Sequence, residues 1–134
     1  MYQGSCLCGA VKFSIENSIK DIVYCHCSLC RKAQGSAFAT NANVASDDFN
    51  FICGEENLSH YSSSKTQTKS FCKTCGSPIM SKSTSAPGKI RIRLGTIESD
   101  ISERPQAHIF VASKANWETI SDDIPQHNSY ISDD

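Results

Sequence analysis

The chain has 134 residues, 39% hydrophobic and 20% charged, with a formal net charge of −1. That length suits one domain with a modest core, and the near-neutral charge argues against a nucleic-acid or membrane-surface partner. No apolar run approaches the roughly 20 residues of a membrane helix, and the N-terminus, Met-Tyr-Gln-Gly-Ser-Cys-Leu-Cys, lacks the basic and apolar regions of a secretory signal. The expected compartment is therefore the cytoplasm.

In chain order, Gly4 to Glu16 opens on Cys6-Leu7-Cys8-Gly9 and then alternates, with Val11, Phe13 and Ile15 apolar between polar neighbours. That period of two predicts a strand with one buried face. Ile19 to Tyr24 is expected to be a second strand, running into Cys25-His26-Cys27-Ser28-Leu29-Cys30. Good helix formers over Ser28 to Gln34 predict a short helix, capped by Ser28 and stopped by Gly35. Strands are expected over Ser36 to Val44, Phe49 to Cys53 and Leu58 to Tyr61, with Ser62 to Gln67 as a polar hairpin tip. Thr68 to Phe71 leads into Cys72-Lys73-Thr74-Cys75-Gly76, a turn that brings two thiols together. Ser81 to Gly88 reads as a polar loop. Lys89 to Leu94 is the clearest strand, with Ile90, Ile92 and Leu94 on one face and Arg91 and Arg93 on the other. His108 to Val111 is a last strand candidate, and about 121–134 reads as a polar tail of the single domain 1–134. Many short strands and one short helix predict a mostly β fold.

Eight cysteines in a reducing compartment call for a purpose other than disulfides. Seven fall into tight clusters, CxC, CxCxxC and CxxC, and only Cys53 stands alone. Metal sites space cysteines this way. A CxC and a CxxC each supply two thiolates, so Cys6, Cys8, Cys72 and Cys75 together complete the four-thiolate set of a structural zinc site. Pairing the three-cysteine cluster with one member of another pair is the competing arrangement, and it leaves that pair half used.

Cys25, Cys27 and Cys30 then hold a second metal with one tetrahedral position open, the pattern of a catalytic rather than a structural zinc. Cys53 is the rival for that position; its other reading is a small buried apolar residue. Three thiolates around Zn²⁺ leave a charge of about −1 by valence counting, which disfavours making hydroxide from water and suits a soft thiol. Two functions follow. One is an enzyme that presents a bound thiol to an electrophile, with Cys25, Cys27 and Cys30 at its centre. The other is a non-catalytic zinc-binding interaction module with both sites closed. In the first, Arg31 or Lys32 would offset the negative charge, and Arg31, Lys32, His108, Lys114 or Trp117 would touch substrate. His26 is expected to point away from the metal, and His60 and His108 to be satisfied structurally unless they approach it.

These motifs resemble the glutathione-dependent formaldehyde-activating enzyme and centromere protein V family. The resemblance rests on Gly4-Ser5-Cys6-Leu7-Cys8-Gly9, Cys25 to Lys32 with Gly35-Ser36, Phe71 to Gly76, Arg93-Leu94-Gly95-Thr96 and Pro105 to Trp117. It implies a β-tent of small antiparallel sheets and two zinc ions, the second able to be partly occupied. Cys6, Cys8, Cys72 and Cys75 would hold structural zinc, and Cys25, Cys27 and Cys30 catalytic zinc. The implied activity is a carbon–sulfur lyase type, joining glutathione to formaldehyde as S-hydroxymethylglutathione.

Overall fold

The structure, a computed structural model, describes residues 1–131, so the last three residues of the expected tail lie outside it. Ten strands form: β1 (Tyr2–Ser5), β2 (Lys12–Ile15), β3 (Lys20–Cys25), β4 (Ala39–Ala45), β5 (Phe49–Cys53), β6 (Leu58–Ser62), β7 (Gln67–Cys72), β8 (Pro78–Ser83), β9 (Lys89–Arg93) and β10 (Ala107–Ile109). The α-helix, α1, spans Ser28–Gln34. A three-stranded sheet runs β1-β2-β5, and a seven-stranded sheet runs β10-β3-β4-β9-β8-β7-β6. Neighbours are antiparallel except β10 and β3, which pair in parallel. This is the mostly β, small-sheet architecture expected of a β-tent. No helix among the described residues is long and apolar enough to cross a membrane.

The alternating residues of β2 turn Phe13 and Ile15 into a core that draws on both sheets. Phe13 stacks on Phe49 with ring centroids 5.1 Å apart, while Val44, Ile79, Ile90 and Ile92 close the far side. Each such side chain contributes about 1.5–3 kcal/mol when fully buried. A smaller apolar cluster of Val23, Cys25, Cys30, Ala39, Ala107 and Ile109 packs where β3, β4 and β10 meet α1.

Four expectations need correction. The alternation predicts no strand before Cys6, yet Tyr2 to Ser5 pairs with Ile15 to Lys12 as β1. β8 takes in Ser81 to Ser83, expected as loop; Ser81 is buried and pairs with Lys69 and Arg91 on either side. Leu94 leaves the β9 ladder and begins a 3-10 turn. The supposed tail is docked: His108 N–H donates to Pro125 O (2.8 Å), His127 N–H to His108 O (2.9 Å) and Phe110 N–H to Ser129 O (3.0 Å). Residues 125–129 therefore run beside β10, and Tyr130 packs edge-on against Phe110 at 4.8 Å.

Gly54, at the turn after β5, has φ +85°, and a Cβ there would stand 1.9 Å from the Ala10 carbonyl oxygen. The left-handed backbone and the clash with main chain act together. Gly54→Ala is expected to destabilise the fold by about 3 kcal/mol, read as a fall of roughly 10 °C in thermal midpoint.

Candidate metal centre

The first cluster joins the two sheets. Cys6 and Cys8 follow β1, whereas Cys72 ends β7 and Cys75 sits in the turn to β8. Their four sulfurs lie within 4.8 Å of one another. Cys6–Cys8 and Cys8–Cys72 are 3.7 and 3.8 Å apart, matching the about 3.8 Å edge of a tetrahedron with 2.3 Å zinc–sulfur bonds. Gly76, at φ +79°, lets its N–H reach back to Cys72 O at 2.8 Å and closes the turn. The sulfurs also accept hydrogen bonds, from Val11 N–H to Cys6 and from the Asn57 amide to Cys72, each at 3.3 Å. The Ser77 hydroxyl lies 3.2 Å from Cys75 Sγ and helps hold its pKa down at about 5. Donors aimed at sulfur favour thiolate, the form that binds metal. The donor set fits a metal.

The second cluster is built by one chain turn. Cys25 is the last residue of β3, Cys27 caps α1, and Cys30 lies in the first turn of that helix. The cap is Cys27 and not Ser28 as expected: its sulfur accepts from Cys30 N–H at 3.3 Å. The three sulfurs lie within 4.8 Å of one another, with the Cys30–Cys25 edge drawn in to 3.2 Å. The Cys25 and Cys30 thiols and the N–H groups of Cys30 and Leu29 pull the Cys27 pKa down to about 2. Cys25, which hydrogen-bonds to Cys27 and is buried, is pushed up. This set also fits a metal, and it leaves one tetrahedral position without a Cys, His, Asp or Glu donor among the described residues. Cys53 does not fill it. Cys53 sits on β5 in the other sheet, exposed, with its sulfur 3.8 Å from Ala10 O.

Beside the three sulfurs lies a cavity of about 360 Å³, which Asn41, Lys69, Arg91 and Arg93 also line. The expected cations, Arg31 and Lys32, occupy the last turn of α1 and do not line it. Lys69 and Arg93 take that place. Arg93 is only 4% exposed; its guanidinium donates to Gln34 Oε1 at 3.2 Å and to Ser81 Oγ and Arg91 O at 3.4 Å. None of these is a carboxylate. Burial lowers the pKa of both Lys69 and Arg93, and the three cysteines pull both back up. Asn41 is 2% exposed and its Oδ1 has no partner.

The other expected substrate contacts lie elsewhere. Lys114 Nζ is held by the carbonyls of Ala115 and Glu118, and Trp117 is 68% exposed. His60 is bound to Ser70 Oγ at 2.7 Å. His108 and His26 belong to a buried chain: Asp122 to His108 Nε2 is 3.0 Å, and His108 Nδ1 to His26 Nε2 is 2.9 Å. An ionised carboxylate only accepts, so His108 Nε2 carries a proton. With His108 neutral its Nδ1 accepts, and His26 must donate from Nε2. Burial lowers the His26 pKa and favours that neutral ring. The acid at 122, in the supposed tail, thus orients the histidine between two cluster cysteines. Nothing in local sequence spacing pointed to that pairing.

Fold and site define a class: small, mostly β proteins organised around cysteine clusters suited to soft metal ions. Within it, the chain belongs to the glutathione-dependent formaldehyde-activating enzyme family, whose model matches residues 1–113. It is 28% identical over 125 residues to a protein of Halomonas elongata named a putative glutathione-dependent formaldehyde-activating enzyme, covering 87% of this chain and 79% of that one. An uncharacterized lyase of Schizosaccharomyces pombe is 30% identical over 78 residues, 58% of this chain and 55% of its own. A crystal structure of a Rhodobacter sphaeroides protein superposes with a TM-score of 0.63 at 31% identity, over 75% of this chain and 91% of that one.

Two outcomes are expected. In metal-stripped protein, alkylation of Cys27 should persist to lower pH than that of an ordinary thiol, since the Cys25 and Cys30 thiols and the Cys30 and Leu29 N–H groups lower its pKa; an ordinary thiol slows about tenfold per pH unit below its pKa of ~8.5. Asp122→Ala should release both histidine rings into mixed tautomers, visible in ¹⁵N spectra, with little loss of stability because Asp122 is exposed.

Proposed function

We propose that the chain is a zinc enzyme of the carbon–sulfur lyase type that adds a small thiol to an aldehyde or related electrophile. In this reading Cys6, Cys8, Cys72 and Cys75 hold a structural zinc, and Cys25, Cys27 and Cys30 hold the catalytic one. The single observation that carries it is the three-thiol cluster opening on a cavity lined by three cations, Lys69, Arg91 and Arg93, that lack a carboxylate partner among the described residues. Zinc bound there would supply a position that keeps a substrate thiol deprotonated at neutral pH.

The chain's own residues account for the rest. Three thiolates, a divalent ion and a substrate thiolate sum to about −2 by valence, and Lys69 and Arg93 bring two positive charges to the same cavity. Asn41 Oδ1 offers an acceptor to a substrate N–H, while Arg91 offers a cation to a carboxylate. Glutathione, the thiol in the family's name, carries both groups. The thiolate sulfur forms a bond to the aldehyde carbon, the π pair moves to oxygen, and the oxygen takes a proton from water. With formaldehyde the product is S-hydroxymethylglutathione. The compartment we propose is the cytoplasm, where reducing conditions keep thiols free.

The closed-module alternative needs Cys53 as a ligand, and the exposed position of Cys53 on the other sheet speaks against it. The test is Cys27→Ala. Bound zinc should fall from two ions per chain to one, and exchange between glutathione and formaldehyde, followed by ¹³C NMR, should lose its acceleration, with the circular dichroism spectrum retained. Full activity in that variant would sink the proposal. Lys69→Met should raise the KM for the thiol by about tenfold through loss of one buried counter-charge.

A further inference from the structure

Beyond the thiol cavity lies a second chamber of about 370 Å³, framed by the end of α1 and by β6, β7 and β8. Its lining includes Tyr61, Phe71 and Pro78 beside polar Gln34 and Ser70, with Lys69 and Arg93, and it borders Met80 of the main core, which is 3% exposed. Those two cations also line the thiol cavity, so they form a partition shared by both spaces. Formaldehyde has no body to place there. Glutathione reaching along Arg91 and Asn41 stays on the thiol side, because neither residue lines the second chamber.

Resting on the thiol-addition reading, we propose that the chain accepts aromatic aldehydes, with the ring in this chamber and the carbonyl at the partition. Two independent features favour an aryl body over an alkyl one. Aromatic rings pack well on Tyr and Phe faces, and a guanidinium over the ring face adds cation–π attraction. The partition supplies the chemistry. When a thiolate on the cysteine side attacks the carbonyl carbon, the sulfur–carbon bond forms and the π electrons go to oxygen. That oxygen then stands beside Lys69 and Arg93, where fixed positive charge stabilises it before a proton arrives from water.

Met80 makes the chamber observable, because the chain has only one other methionine, Met1. In zinc-loaded protein with ¹³C-methyl methionine, benzaldehyde should move the Met80 signal upfield by its ring current and leave Met1 in place. Ala33→Trp, at the α1 edge of the chamber, should abolish that movement. The ratio of kcat/KM for benzaldehyde over formaldehyde, with glutathione as the thiol, should fall about tenfold in this variant. Tyr61→Ala, at an exposed side chain that the fold can spare, should lower the same ratio in the same direction. An unmoved Met80 signal up to the solubility limit of benzaldehyde overturns the proposal, as does a ratio unchanged in both variants. Movement of Met80 without acceleration of either aldehyde supports the chamber as an aryl-aldehyde site and overturns the thiol-addition reading. Acceleration of formaldehyde with Met80 unmoved overturns the chamber and leaves that reading standing.

Discussion

The convergence of Cys6 and Cys8 with Cys72 and Cys75 is the constraint on which the rest of the molecule depends. It joins the end of β1 in the small sheet to the β7–β8 turn in the large one. The segments are more than sixty residues apart in sequence, so the tie closes a long loop, a costly contact to form from an open chain. Two strand ends that would otherwise splay are held with their backbone turns intact, and the apolar faces between them can close over Phe13 and Phe49. Hydrogen bonds from Val11 N–H to Cys6 sulfur and from the Asn57 amide to Cys72 sulfur hold these side chains in place.

With the sheets so anchored, the face of the large sheet turned away from the core is free to be polar. Asn41 of β4, Lys69 of β7, Ser81 of β8 and Arg91 and Arg93 of β9 are cross-strand neighbours by register. A buried arginine without an acid is costly in an apolar interior, and so is an amide oxygen without a donor. The first cost becomes intelligible beside three cysteine sulfurs, since negative charge there raises the affinity of Lys69 and Arg93 for their protons. Stability is lowered locally at the place where a charged ligand would restore it.

Local patterns made much of this legible in the sequence. Alternation placed β2 and β9, and cysteine spacing delimited the thiol groups, because the three-thiol set and each half of the four-thiol set come from residues two or three apart. What stayed hidden depends on partners far along the chain. Ser28 looked like the cap by residue type, but the thiolate of Cys27 competes for the same N–H groups and wins. Arg31 and Lys32 looked like the site cations by proximity in sequence, yet the helix carries them past the cavity while β7 and β9 deliver Lys69 and Arg93 from across the sheet. Only the second half of β8 escapes the pattern: Ile79 and Met80 are buried in the core, but Ser81 after them lines a polar cavity, so its burial carries no hydrophobic signal.

The C-terminal segment shows why the family resemblance and the local pattern each stop short. The family match ends at residue 113, but the support of the three-thiol turn does not. Asp122 orients His108, His108 orients His26, and His26 is the residue between Cys25 and Cys27. Backbone hydrogen bonds from Phe110 and Val111 to Ser129 and His127 hold that segment beside β10, and Tyr130 reaches the thiol cavity itself. A polar, low-hydrophobicity stretch reads as a tail only while its partners are unknown. Here its polarity is the means of attachment: an acid for a buried imidazole and carbonyls for the edge of a sheet. The cysteine cluster is thus held from both sides, by the helix that Cys27 caps and by a strap that residues 122–130 contribute from beyond the stretch the family model matches.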